Sequence, residues 1–277
     1  MKDKIRVEAK EERGDRIETD EDKLPSPAAA VHEQIRAEGH KELERDFVAL
    51  IFSAIAAGLS IGISLIAKAN FHTVFQQSYF TNLIESFGYT FGFIIVIMSK
   101  QQLFTENTLT AVLPVIQKPT AKNLAILLRL WGIVLLGNLI GTAVIAWVLV
   151  NFSVFGVEMQ KAFLTLSQAM MEKSGKDMFL GGILSGWLIA TMVWMFPTAG
   201  SAKIWVIILM TYIISICDLT HIVVGSVEGF YLIFTGHTAW AEFIYPFALP
   251  TLAGNILGGT FIFTIISHIQ IRSDMKK

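Results

Sequence analysis

The feature that most constrains this chain is a series of six apolar stretches, each long enough to cross a bilayer. A membrane-spanning helix needs roughly 20 predominantly apolar residues, and hydropathy predicts spans at 47–67, 82–116, 122–150, 178–198, 202–235 and 244–271. The charges support this, because 24 of the Asp, Glu, Lys and Arg residues precede Phe47 and only 21 follow over 231 residues. We therefore expect an all-α polytopic membrane protein, with a single channel domain over residues 47–271.

Two of the six stretches are too long for one crossing and too short for two crossings with a turn. Segments 82–116 and 202–235 each contain a polar run, at 99–107 and 217–221 respectively. Both patterns predict helices that are interrupted within the membrane. Because lipid offers no hydrogen-bond partner, the backbone groups freed at a break must face protein or water. The breaks are therefore expected at a pathway or a buried site.

The chain also contains an internal repeat. A GNxxG sequence follows each polar run, at 137–141 and 254–258, and Asn138 and Asn255 lie 33 and 34 residues after Thr105 and His221. This spacing aligns Thr105 with His221 and divides the domain into three-span halves, 47–150 and 178–271. Since three is odd, the second half must be inverted, and in such folds the substrate site lies where the two breaks meet. The glycines have a simpler explanation too, because small residues let helices pack closely.

The residues that flank the spans predict the orientation and the terminal segments. Ten Lys and Arg residues near the span ends lie on the side of the termini and four lie opposite, so the termini are expected in the cytoplasm. Residues 1–25 are predicted to be a disordered, charged cytoplasmic tail. Residues 26–46 are predicted to form a cytoplasmic helix with Ser26 as its N-cap, and residues 272–277 a second cytoplasmic tail.

Several classes of function are excluded by composition or by missing motifs. A net charge of −1 argues against nucleic-acid binding, and one cysteine allows neither an internal disulfide nor a Cys-based zinc site. We find no intramembrane carboxylate pair with metal-ligand spacing, no Walker loop and no nucleophile elbow. No enzyme activity, metal or cofactor is expected.

The ordered motifs carry a resemblance to a known family. The Leu-Phe-Thr sequence at 103–105, the GNLIG sequence at 137–141, the intramembrane His221 and the GNILGG sequence at 254–259 resemble the formate/nitrite transporter family. The resemblance implies an aquaporin-like six-helix protomer, a homopentamer in the bacterial inner membrane and one pore per protomer. Members of that family move small monovalent anions of weak acids, such as formate, nitrite and hydrosulfide.

The resemblance also implies roles for individual residues. His221 would donate a proton or a hydrogen bond to the passing anion, and Thr105 would orient its imidazole. The expected substrate pathway also contains Phe104, Tyr89, Phe93, Ile214, Asn138 and Asn255. The Lys that the family carries in the loop before the fourth span is replaced by Met170, so Lys173 and Lys176 are the vestibule candidates.

Other roles and functions stay open at this level. Asp218 could pair with His221 or face the cytoplasm, while Lys100 and Glu106 are expected to pair with each other. Thr220 and Gly225 stand where well-studied members carry a charged residue and an asparagine. An aquaporin-type pore for neutral solutes is therefore the main alternative to an anion channel. A membrane scaffold with a vestigial pore and a docking tail is the third hypothesis.

Overall fold

The computed structural model describes residues 27–75, 79–152 and 154–274, with side chains described through Ile271. The predicted tail 1–25, the Ser26 N-cap and the last three residues lie outside these ranges. Every regular element in the described ranges is helical, which confirms the all-α class. The α-helices are α1 (Pro27–Leu43), α2 (Phe47–Phe75), α3 (Thr81–Met98), α4 (Val112–Gln117), α5 (Ala121–Asn151), α6 (Val157–Met171), α7 (Gly175–Ala199), α8 (Lys203–Ile216), α9 (Ile222–Phe234), α10 (Trp240–Glu242), α11 (Leu249–Ile256) and α12 (Ile265–Asp274).

These helices give the expected six spans with two broken ones. Five stretches are long and apolar enough to cross a membrane by length and composition, and they cover 47–75, 81–98, 121–151, 175–216 and 240–271. The fourth, at 42 residues, would extend about 63 Å as one helix, but Gly200 adopts a positive φ of 49° between α7 and α8. The shorter apolar helix α9 completes the span that α8 begins.

The two halves share one packing scheme, which confirms the predicted inverted repeat. The first helix of each half packs against the third, α2 on α5 and α7 on α11. The halves then join through the broken spans, because α3 packs on α8 and α9 packs on α5. Glycine makes the closest crossings: a Cβ on Gly141 would lie 2.2 Å from the carbonyl oxygen of Ile55. The simpler explanation of the GNxxG glycines, close helix packing, therefore holds at this crossing.

The breaks begin with the same backbone motif. The amides of Lys100 and Gln101 bond the carbonyls of Ile97 and Val96 at 3.2 and 2.9 Å, and Lys100 has a φ of 53°. This is the Schellman ending of a helix, here without the usual glycine.

The second break repeats that ending closely. Asp218 has a φ of 52°, and the amides of Asp218 and Leu219 bond the carbonyls of Ser215 and Ile214 at 3.0 and 2.9 Å. Lys100 therefore corresponds to Asp218, and the residue that corresponds to His221 is Leu103. The alignment of Thr105 with His221 that the spacing suggested is therefore wrong by two residues.

Helix α1 packs across one face of the membrane domain, against α4 and α7. Its buried His32 places Nε2 3.1 Å from Nδ1 of His268 in α12. Burial lowers the pKa of His32, the neighbouring His268 and Arg36 lower it further, and Glu33 acts in the opposite direction. The packed position of α1 therefore favours neutral His32. Its contribution to the packing is complete above the usual pKa of 6.5 and is lost as the pH falls below that value.

We expect α1 to loosen in acid. Amide hydrogen exchange around His32, corrected for the intrinsic effect of pH, should rise several-fold between about pH 7.5 and about pH 5. His32→Gln should abolish the difference because the amide does not titrate. The matched control is His40→Gln, which alters an exposed histidine of the same helix and should keep the wild-type response. Equal protection of wild-type α1 at both pH values would contradict the prediction.

Candidate functional site: two broken helices between two vestibules

An asparagine from the third span satisfies the backbone of the first break. The side-chain oxygen of Asn138 accepts the amide of Phe104 at 2.9 Å. Its NH₂ group donates to the carbonyls of Ala54 and Gln102 at 2.9 and 2.8 Å. The side chain is fully buried and connects the break to α2 and α5.

The second break has the same arrangement. The side-chain oxygen of Asn255 accepts the amide of Ile222 at 2.9 Å. Its NH₂ group donates to the Gly182 carbonyl and the Ser185 hydroxyl, both at 2.9 Å, and to the Thr220 carbonyl at 3.2 Å. The polar atoms of both asparagines are thus used by protein partners, and neither residue lines a vestibule. The contacts of both asparagines show that they stabilise the backbone at the two breaks. Their position on the substrate pathway stays a prediction.

His221 and Thr105, one from each break, meet in the interior. Nε2 of His221 lies 2.8 Å from the hydroxyl oxygen of Thr105, and Nδ1 accepts the amide of Val224 at 3.3 Å as the N-cap of α9. An acceptor nitrogen carries no hydrogen, so a neutral imidazole with these contacts holds its hydrogen on Nε2 and donates it to Thr105. The exposed fractions of the two residues are 2% and 0%.

Aromatic side chains of α3 line up beside the imidazole. The Phe93 ring lies edge to face with His221 at a centroid distance of 5.2 Å, and the Tyr89 ring lies 5.4 Å from that of Phe93. Phe104 packs on Trp131 at 5.8 Å. Phe104 and Ile214 are buried and lie outside the lining of both vestibules. The predicted apolar residues therefore surround or adjoin the His221 and Thr105 pair.

A cavity of about 260 Å³ opens on the face opposite α1 and ends at His221. We call it the far-side vestibule, and its lining includes Lys68, Glu85, Tyr89, Lys173, Ser215, Asp218, Thr220, His221, Val224, Gly225 and Glu228. Lys173 is present as predicted, but its ammonium is held by the Asp218 carboxylate at 2.7 Å and the Asp218 carbonyl at 2.6 Å. Lys176 is exposed and lies outside this lining.

Three charged residues of the far-side vestibule, Lys68, Glu85 and Glu228, were not predicted from the sequence. Lys68 lines it, and no hydrogen bond or ion pair holds that ammonium to another described residue. Glu85 accepts from His72 at 2.7 Å, whereas Glu228 lines the wall one and a half to two turns above His221 on α9. With Asp218, three acidic groups face two ammonium groups, so this vestibule has a formal charge of −1.

A second cavity, of about 710 Å³, opens beside α1. We call it the α1-side vestibule, and its charged lining consists of Glu38, Lys41, Glu42, Arg45, Lys100, Glu106 and Lys203. Gln102 of the first break donates to Glu42 at 2.7 Å and accepts from Asn107 at 3.0 Å, which joins α1 to that break.

No ion pair joins Lys100 to Glu106 in the described structure, so that expected pairing is wrong. Asp218 pairs with Lys173 rather than with His221.

No residue lines both vestibules. The segment between them contains the Thr105 and His221 pair and the buried apolar side chains around it. Six spans, two broken helices that meet in the interior and a vestibule on each face define a membrane pore with the aquaporin-like inverted repeat.

The comparison with protein families identifies the kind of pore. The family model described as "Formate/nitrite transporter" matches residues 29–269, and the chain belongs to that family. The chain is 60% identical to "Inner membrane protein YfdC" of Escherichia coli (strain K12) over 274 residues, which cover 99% of this chain and 88% of the relative.

Two solved structures share the fold. One is described as "FNT family ion channel", with a TM-score of 0.76, 20% identity and coverage of 87% of this chain and 99% of the other. The other is described as "Pentameric formate channel with formate bound", with a TM-score of 0.69, 22% identity and coverage of 86% and 98%.

We expect Asn255→Ala to damage the site through the backbone rather than through the pore lining. The substitution leaves the buried amide of Ile222 without its side-chain acceptor, and an orphaned buried group costs about 1–3 kcal/mol. Thermal unfolding in detergent should therefore show a clearly lower midpoint. The matched control is Asn151→Ala, because Asn151 is exposed and donates only to the Trp147 carbonyl. Similar midpoints for the two variants would contradict the structural role.

Proposed function

We propose that this protein is a homopentameric inner-membrane channel for small monovalent weak-acid anions of the formate and nitrite class. His221 donates a proton or a hydrogen bond to the anion between the two vestibules. The observation that carries the proposal is the contact of His221 with Thr105 at the meeting point of the two breaks, where the far-side vestibule ends. Membership of the formate/nitrite transporter family supports the substrate class.

The physical difficulty in such a pore is the desolvation of a charged substrate. A bare anion loses far more on leaving water than a neutral molecule does, and the segment around His221 is lined by apolar side chains. An imidazole that donates a hydrogen bond through Nε2 stabilises the negative charge on the substrate at the most apolar point, and a full proton transfer requires a proton that His221 first takes up from solution. The N-terminal end of α9, which begins directly after His221, adds partial positive charge at the same place.

Assembly, location and orientation also belong to the proposal. The structure described as a pentameric formate channel supports the pentamer, and the E. coli relative described as an inner membrane protein supports the location. The excess of Lys and Arg on the side of the termini supports an orientation in which the α1-side vestibule faces the cytoplasm. In this orientation the far-side vestibule opens outward.

One observation favours the alternative of a pore for small neutral solutes. The far-side vestibule carries three acidic groups and two ammonium groups, and a negative mouth repels anions at long range. A neutral solute would not experience this barrier. The two candidates differ in what they transport rather than in the fold.

Proteoliposomes containing the purified wild type provide the test. We expect uptake of radiolabelled formate or nitrite that rises as the external pH falls, because the proton supply to the imidazole and the substrate increases. His221→Ala should lose the pH dependence. His237→Ala is the matched control, since His237 is exposed on the loop after α9. Osmotic swelling in small neutral solutes without flux of any weak-acid anion would replace the proposal with the alternative.

We expect Glu228→Gln to improve anion access to the far-side vestibule. Removing one of its three carboxylates makes the formal charge of the lining neutral. The half-saturation concentration for formate should therefore fall several-fold at low ionic strength, and high salt should shrink the difference by screening. The control is Glu158→Gln, which removes an exposed carboxylate from α6 outside this lining. Slower formate uptake in Glu228→Gln at every salt concentration would contradict the electrostatic interpretation.

A further inference from the structure

Two buried residues that line the far-side vestibule carry hydroxyl groups without a hydrogen-bonding role in the described structure. Tyr89 is 7% exposed and Ser215 is 8% exposed, and both line the vestibule that ends at His221. Neither hydroxyl has a hydrogen-bond partner among the described residues, and the two do not bond each other. Orphaned buried polar groups are rare and costly in folded proteins, so a pair of them in one cavity calls for a ligand.

The two hydroxyls come from two different helices that line the cavity. Tyr89 belongs to α3 and Ser215 to the last turn of α8, and these two helices pack directly against each other. The Tyr89 ring also packs on Phe93, which contacts the His221 imidazole. The hydroxyl pair therefore lies along the route that a solute must follow from the far-side vestibule to His221.

We infer that Tyr89 and Ser215 form a two-donor subsite that binds small anions with two oxygen acceptors on one atom, such as formate and nitrite, before they reach His221. The inference rests on the proposed function and narrows its substrate class to weak-acid anions that have two oxygen acceptors on one atom. Each hydroxyl donates to one oxygen of the anion. Hydrosulfide offers a single sulfur, which is a larger and weaker acceptor than oxygen, so it gains little from the two hydroxyl donors.

The chemistry of hydroxyl donors suits a site in a conducting pore. Tyrosine and serine side chains stay neutral at physiological pH, so they stabilise an anion without the strong attraction of a buried fixed cation. Conduction requires binding that is favourable enough for access and weak enough for release. The ammonium of Lys173 is held by Asp218, whereas neither hydroxyl has a partner among the described residues.

The test compares Tyr89→Phe and Ser215→Ala with the wild type in proteoliposomes, with formate, nitrite and hydrosulfide as the probes. The expected result is a rise of about tenfold to a hundredfold in the half-saturation concentration for formate and nitrite in each variant, the range that follows from losing one hydrogen bond to an anion. The maximal rates and the hydrosulfide constant should stay within about twofold of wild type.

Ser86→Ala is the matched control. Ser86 lies three residues before Tyr89 on α3 and is likewise buried without a partner, but it does not line the vestibule. All three variants remove an orphaned hydroxyl, so none should lower the thermal midpoint of the ligand-free protein. This measurement separates lost binding from a damaged fold.

The outcomes distinguish the subsite from the proposed function. Unchanged formate and nitrite constants in Tyr89→Phe and Ser215→Ala, in an active channel, overturn the subsite and leave the channel intact. An equal shift in Ser86→Ala, or an equal shift for hydrosulfide, also overturns it. A wild type that carries hydrosulfide but neither formate nor nitrite overturns the two-oxygen class, and a wild type with no anion flux overturns the proposed function itself.

Discussion

The rest of the structure depends on how two interrupted helices keep their backbone hydrogen bonds inside a membrane. Lipid cannot accept or donate such bonds, so each break must be satisfied by protein. One asparagine in each half does this, with Asn138 accepting the Phe104 amide and Asn255 the Ile222 amide. Because each asparagine belongs to the third span of its half and also donates to carbonyls near the break, it fixes the break relative to the helices around it. The interior position of the imidazole follows from these contacts.

The two breaks have the same backbone and different chemistry. Both begin with a Schellman ending and a non-glycine residue at positive φ, Lys100 in one and Asp218 in the other. Three residues after these positive-φ residues, the first break has Leu103 and the second break has His221. The repeat therefore supplies two equivalent scaffolds, and substitutions within them supply the functional asymmetry. Only one break provides an imidazole, and the other provides its partner from a neighbouring position, Thr105.

Hydropathy, span length and the polar runs were sufficient to predict the six spans, the two breaks and the inverted repeat. These features depend on local composition and on the bilayer, which are both readable along one chain. The contact between Thr105 and His221 was inferred through the family resemblance, and the structure places the two side chains together. The pairing of charged side chains was not predictable from the residues alone, because it depends on helix rotation and depth. For this reason Asp218 was not matched with Lys173, Lys100 was wrongly matched with Glu106, and Lys68, Ser215 and Glu228 were overlooked.

The opposite charges at the two helix endings have a consequence for kinetics. Lys100 belongs to the α1-side vestibule, where four basic groups face three acidic ones, and Asp218 belongs to the far-side vestibule, where the balance is reversed. An anion therefore meets a different electrostatic potential at each mouth. Microscopic reversibility forbids a passive pore from accumulating solute by this means, and it also makes the transport rates at low concentration equal in both directions. The asymmetry therefore alters only the concentration at which each mouth saturates and the maximal rate from that side, while the final gradient is set entirely by the solutions that the pore connects.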